Sequence, residues 1–166
     1  MIEPRECIGQ CWKKEDPLNK KMAPHIVAMI EQFNNLTLFV QIEVLRQRSL
    51  RERSRAIKRM IAMGERFKTL RNYNSLCAIF SALNSAPIHR LKLSWKRVPA
   101  KYLLMFANFQ AIFSRDFNHR NLRALFRTAP APAIPHLGLF LQDLVFIDDG
   151  NSNKIENHNL QKGEGS

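Results

Sequence analysis

Between residues 26 and 44 the apolar side chains keep a helical beat. Ile26, Ile30, Phe33, Leu36, Val40 and Val44 follow one another at steps of three or four, the spacing of one face of an α-helix. Pro24 stands just ahead, where its missing N–H costs nothing because the first turn has no carbonyl to receive it. Met29, Leu38, Phe39, Ile42 and Leu45 fill much of the opposite side. The pattern predicts a helix apolar around most of its girth, the kind that lies centrally in a bundle.

The remaining chain keeps the same period. Ser49 is placed to cap a helix running to about Arg71, with Leu50, Ile57, Met60, Ile61, Gly64 and Phe67 as its buried stripe. Asn74-Ser75 restarts the chain for a helix over 76–83. Pro99 opens another, marked by Tyr102, Leu103, Phe106, Phe109 and Phe113, and a short helix follows at 122–126. The proline-rich link at 129–135 breaks the chain, and Pro135 starts a last apolar helix over 137–147. Residues 1–22 read as an irregular segment pinned by Trp12, and 151–166 as a tail without period. No alternating β pattern and no internal repeat occurs. The fold class expected is all-α.

The 166 residues are 45% hydrophobic, enough to bury a core in one domain. The net charge of +12 suits an anionic partner: nucleic acid, a membrane surface or an acidic protein. Residues 46–72 hold ten Lys/Arg against Glu52 and Glu65, which reads either as a solvated helix face or as a docking patch. Cys7, Cys11 and Cys77 lack the second pair that a structural zinc site needs, and fit reduced thiols in the cytoplasm. The opening MIEPRECIGQ lacks the apolar core of a signal peptide. The greasiest windows, 102–113 and 133–147, are too short and too interrupted to span a bilayer.

Motifs for covalent chemistry are missing from the sequence. The six glycines form no phosphate loop, and the five histidines fall in no metal spacing. Asp149 opens a stretch with some calcium-loop character, but the required glycine position holds Lys154 and the closing glutamate position Leu160. No cofactor is implied. Two features remain. Asn84-Ser85-Ala86-Pro87 followed by Ile88-His89-Arg90 reads either as a helix C-cap or as a rigid, exposed corner suited to recognition. Asp148-Asp149 closes the last helix with charge that opposes its dipole; it reads either as a hydrophilic Asp-Gly turn or as a negative end aimed at a cationic site.

These stretches carry a resemblance. "ECIGQCW" at 6–12, "APHIVAMIEQFNNLT" at 23–37, "RAIKRMIAMGERFKTLRNYNS" at 55–75 and "NYNSLCAIFSALNSAPIHRL" at 72–91 occur in order. They are followed by Trp95, Pro99-x-Lys101-Tyr102, "NHR" at 118–120 and "IPHLGLFLQDLVFIDDGN" at 134–151. Together they resemble the catalytic domain of Ras-family guanine-nucleotide exchange factors. The resemblance implies an all-α, irregular helical bundle with a protruding helical-hairpin arm. It implies an activity without covalent chemistry: release of GDP from a Ras-family small GTPase, a partner bound in its nucleotide-free or GDP-bound form. It places Cys77, Asn84, Ala86, His89 and His119 on the surface that grips switch II. It places the helix after Pro135 on the first arm of the hairpin that displaces switch I. Val145 then matches the apolar residue beside the GTPase's magnesium, and Asp149 the carboxylate near its phosphate loop.

Three departures accompany the resemblance. Cys77 stands where the family has a larger aliphatic residue, and Ala86 where serine is common. The family's domain is longer at both ends, so residues 1–151 read as a partial domain and 152–166 as a disordered or atypical tail. The grip is then expected to be complete and the wedge unsupported, with weak exchange or a GTPase-binding module as the alternative. The cationic stretch between Arg46 and Lys68 is expected to face solvent and an anionic membrane surface. A nucleic-acid partner is disfavoured, because that stretch has no interleaved aromatic residues for stacking.

Overall fold

The computed structural model describes residues 2–13 and 21–151; the expected tail at 152–166 lies outside them. Among the described residues, eight α-helices follow two short 3₁₀ turns, Pro4–Cys7 and Cys11–Lys13. They are α1 Pro24–Leu45, α2 Leu50–Thr69, α3 Tyr73–Leu83, α4 Ala86–His89, α5 Lys92–Trp95, α6 Ala100–Ile112, α7 Asp116–Thr128 and α8 Leu137–Gly150. Among the described residues the only β pairing is an isolated bridge between Asn72 and Ile134. The fold is all-α.

The chain divides into two units, residues 27–137 and residues 1–26 with 138–166. In the larger unit α2 packs on α3, α5 and α6. Ser49 caps α2 as its position in the sequence predicts. Its hydroxyl receives the Glu52 N–H at 3.2 Å, and the Glu52 carboxylate receives the Ser49 N–H at 3.2 Å, so two orphan donors are satisfied reciprocally. The inner stripe of α2, Ala56, Ile57, Met60, Ile61 and Gly64, is buried. At Gly64 there is no room for a side chain: a Cβ there would stand 2.9 Å from Cε2 of Phe109 on α6.

The start of α3 differs from the sequence expectation. Asn72, not Asn74, is the cap, its side-chain oxygen accepting from the Ser75 N–H at 3.0 Å. Asn74 lies in the first turn, buried, and accepts instead from the Leu137 N–H at 3.2 Å. One short polar run thus fixes two chain starts far apart in sequence, because asparagine is long enough to bond beyond its own turn. The link after α7 is tied to the same place, with Tyr73 N–H donating to Ile134 O and Ile134 N–H to Arg71 O, both at 2.9 Å.

Two further corrections concern α1 and α7. The girth of α1 is not covered: Val40 and Val44 are fully buried, but Leu38 and Ile42 on the far side stand 54% and 50% exposed. An apolar periodicity marks which side chains could be buried, not whether a neighbour is there to bury them. The short helix expected at 122–126 is longer, Asp116–Thr128, and contains three successive residues of left-handed backbone, Phe117, Asn118 and His119. Each costs about 1–2 kcal/mol outside glycine. Arg123 holds this turn, its Nε donating to Asn118 O at 2.9 Å.

In the smaller unit Glu6, rather than Trp12, is the anchor. It is buried, and its carboxylate accepts from the N–H groups of Glu3, His25 and Ile26 and meets His25 Nδ1 at 2.7 Å. Two of these donors are orphan N–H groups of the first turn of α1. Burial alone would raise its pKa, but the hydrogen bonds together bring it down from 4.5 to about 2. A depressed carboxylate stabilises the fold fully above its unfolded value and loses that contribution as pH falls toward the folded one. Urea-melt midpoints are therefore expected to fall as pH drops from 4.5 to about 2, and Glu6→Gln to remove the part of that fall due to this group. Parallel profiles for the two proteins would refute this role for Glu6.

Candidate functional site

Side chains from five separate stretches meet around a cavity of about 340 Å³ in the larger unit. Phe33 comes from α1, Cys77, Phe80 and Ser81 from α3, and Phe113 and Arg115 from the turn after α6. His119 and Leu122 come from α7, and His136 from the link before α8. The wall is largely aromatic, with Phe80 and Phe113 stacked at 5.2 Å and His136 set between Phe33 and Phe113 at 5.8 and 6.4 Å.

Two polar groups in this wall, Cys77 and His136, are neutral at physiological pH. Burial pushes the Cys77 thiol up to about 12, and a weak bond to Ser81 offsets little of this. Burial, with a contribution from His119, pulls the His136 imidazole down to about 4. Cys77 Sγ and His136 Nε2 lie 3.7 Å apart, too far and too poorly charged for a thiolate–imidazolium pair. Nδ1 of His136 is buried without a hydrogen-bond partner among the described residues. The pocket is thus an aromatic recess with one open hydrogen-bonding position and Arg115 at its edge, suited to holding a side chain rather than to attacking one. Among the described residues no group of three His, Cys, Asp or Glu could hold a metal ion.

Of the residues singled out in the sequence, Cys77 and His119 line this cavity. Asn84, Ala86 and His89 do not; they stand exposed on the corner that follows α3. Helical geometry relates the two places, since Asn84 lies two turns beyond Cys77 on the same side of α3, about 10 Å along the axis. The corner is braced from below. Ile88 is fully buried, Trp95 Nε1 donates to its carbonyl at 3.0 Å, and Ser85 Oγ donates to Ala82 O at 2.6 Å. Asn84 is the C-cap residue of α3, yet its side chain makes no hydrogen bond among the described residues. Its carboxamide faces water with all its donors and acceptor free.

Val145 and Asp149 lie on α8 in the smaller unit. Val145 is partly exposed and Asp149 exposed, with Gln10 Nε2 donating to its carboxylate at 3.1 Å. Helix α8 runs to Gly150, so both aspartates fall inside its last turn, where they oppose the helix dipole. Sequence reasoning missed Phe33, Phe80, Phe113 and His136 as members of one site. The available signal was His136 itself, a lone imidazole between Pro135 and an apolar run.

A family model described as the RasGEF domain matches residues 1–164. This chain belongs to the RasGEF domain family. Similar proteins carry names of the same kind. Ras guanine nucleotide exchange factor Y of Dictyostelium discoideum is 34% identical over 157 residues, 95% of this chain and 10% of that protein. Ras-specific guanine nucleotide-releasing factor 1 of Mus musculus is 32% identical over 151 residues, 91% of this chain and 12% of the mouse protein. Ras guanine nucleotide exchange factor A of Dictyostelium discoideum is 31% identical over 154 residues, 93% of this chain and 25% of that protein. The RasGEF chain described here therefore spans about a tenth to a quarter of the length of these relatives.

Proposed function

We propose that this RasGEF chain binds a Ras-family small GTPase and promotes release of its nucleotide, without forming a covalent bond. The observation that carries this reading is the family match along residues 1–164. The aromatic recess beside an exposed, braced corner supports it. In this reading Cys77 and His119 receive switch II of the GTPase, and Asn84, Ala86 and His89 extend the contact. Val145 is set against the partner's magnesium site, where an aliphatic side chain displaces the metal's water ligands. Asp149 competes with phosphate oxygens for the donors of the phosphate loop. Because binding is reciprocal, tight binding belongs to the nucleotide-free GTPase and weaker binding to the GDP form.

The chain is further proposed to act in the cytoplasm, recruited to the inner face of the plasma membrane by the cations between Arg46 and Lys68. Among the described residues no helix is long and apolar enough to cross a membrane. Arg51→Glu with Arg55→Glu is expected to lower binding to anionic vesicles and leave GTPase affinity in solution unchanged; a collapse of GTPase affinity would place this face in the protein interface instead.

Release of fluorescent nucleotide from Ras, Rap and Ral proteins tests the main reading. At least one is expected to be accelerated, each tenfold corresponding to about 1.4 kcal/mol of barrier. Asp149→Ala should slow release by roughly tenfold with binding to nucleotide-free GTPase retained. Binding without any acceleration would identify a GTPase-binding module, and no binding to any of the three would refute both.

A further inference from the structure

The exposed face of α1 changes character half-way along. Its first half presents Glu31, Gln32, Asn34 and Asn35. In its last two turns Leu38, Ile42 and Leu45 lie within about 60° of one another around the axis. Leu45 is 43% exposed, beside the half-exposed Leu38 and Ile42, and Phe39 flanks them at 50%. Exposed aliphatic residues are common singly, but a contiguous ridge marks a contact surface.

The chain that follows the ridge is cationic. Between residues 43 and 59 there are seven Lys/Arg against two acids. Of those acids, Glu43 is paired with Arg46 at 2.7 Å and Glu52 is held by Ser49. Arg48, Arg51 and Arg59 are exposed and form no ion pair among the described residues. Arg55, Lys58 and Arg59, with Gln47 and the Ser49-bound Glu52, line an open cleft of about 380 Å³. No acid occurs anywhere from Arg66 to Arg115.

Charge complementarity selects what covers the ridge. Apolar side chains bordered by unpaired cations match the boundary between acyl chains and anionic headgroups, where burial and phosphate attraction act together. The polar first half of α1 would stay in water, so only the two apolar turns enter. We propose that the end of α1, with Leu38, Ile42 and Leu45 as its apolar anchor, inserts into the headgroup layer of an anionic bilayer, the arginines between 46 and 59 holding phosphates at its edge. The proposal rests on the membrane reading above and adds an inserted element to what would otherwise be surface attraction.

Co-sedimentation of the full chain with phosphatidylcholine vesicles, with and without phosphatidylserine, tests it. Wild type should bind the phosphatidylserine vesicles. Leu38→Ser with Ile42→Ser should weaken that binding about tenfold or more while helix content and melting stay unchanged, since both side chains are already half in water. The residual binding should fall more steeply with salt than that of wild type. If the serine variant binds like wild type while Arg51→Glu with Arg55→Glu does not, insertion is refuted and surface attraction stands. If neither variant alters binding, or wild type does not bind, the membrane reading fails as well. If the serine variant changes the oligomeric state and not vesicle binding, the ridge joins copies of the chain and the proposal is overturned.

Discussion

Replacing Gly64 by leucine is expected to abolish the cooperative melting of this chain. Gly64 sits where α2 crosses in front of α6, and even a methyl group there would stand 2.9 Å from Cε2 and 3.2 Å from Cζ of Phe109. The ring cannot retreat, because Phe109 is fully buried and packs edge-on against Phe106 at 6.5 Å. Leu76 closes the other side, its Cδ1 at 3.4 Å. Overpacking of this kind costs about 1–3 kcal/mol for small additions. For alanine, up to about 1 kcal/mol returns through helix propensity, so Gly64→Ala should lower Tm by only a few degrees. Leucine brings three further carbons and no further gain in propensity, against a total stability of about 5–15 kcal/mol. Calorimetry that finds the leucine variant melting like wild type would mean that the two helices do not meet as described.

Asn84→Ala is expected to weaken binding to nucleotide-free GTPase by at least roughly tenfold while leaving the melting temperature unchanged. The two halves of that expectation have separate grounds. Stability should not move, because the carboxamide makes no hydrogen bond inside the chain among the described residues and the residue is exposed. Affinity should move, because the side chain offers free donors and an acceptor from a corner held in place by Ile88, Trp95 and Ser85. His119→Ala is the companion. It removes a wall of the recess, and its melting temperature should be read alongside, since His119 occupies left-handed backbone. Titration calorimetry against nucleotide-free Ras, Rap and Ral proteins gives both affinities. Unchanged affinity for Asn84→Ala would exclude the corner from the interface, and equal loss of stability and affinity would make it merely structural.

Much of the helical outline was legible in the sequence because its signals are local. Pro24, Ser49 and Pro99 mark helix starts within their own turn, and the buried stripe of α2 follows from period alone. Asn72 and Asn74 were harder, since either asparagine can cap, and the choice depends on Leu137, a residue far along the chain. The bare side of α1 is not legible from its period alone: Leu38 and Ile42 look like core residues until one asks what packs on them. The left-handed turn at Phe117–His119 had no glycine to announce it. For the candidate site, the resemblance supplied Cys77 and His119, and Asn84 on the corner. The recess as a whole was not visible, because Phe33, Phe113 and His136 come together only through packing between distant segments. Glu6 escaped notice because a lone acidic residue in a polar segment ordinarily stays in water.

The aromatic residues behind the recess form an unbroken series. His136 meets Phe113, Phe113 stacks on Phe80, Phe80 lies 5.9 Å from Phe106, and Phe106 lies 5.1 Å from Trp95, which holds the carbonyl of Ile88. Recess and corner are thereby parts of one stiff plate rather than two flexible loops. A stiff plate has little conformational entropy left to lose when a partner lands on it, so more of the contact energy is available as affinity. The ordering that association requires then falls mainly on the partner. For the partner proposed above, a nucleotide-free GTPase with loosened switches, that is the side with the most freedom to give up.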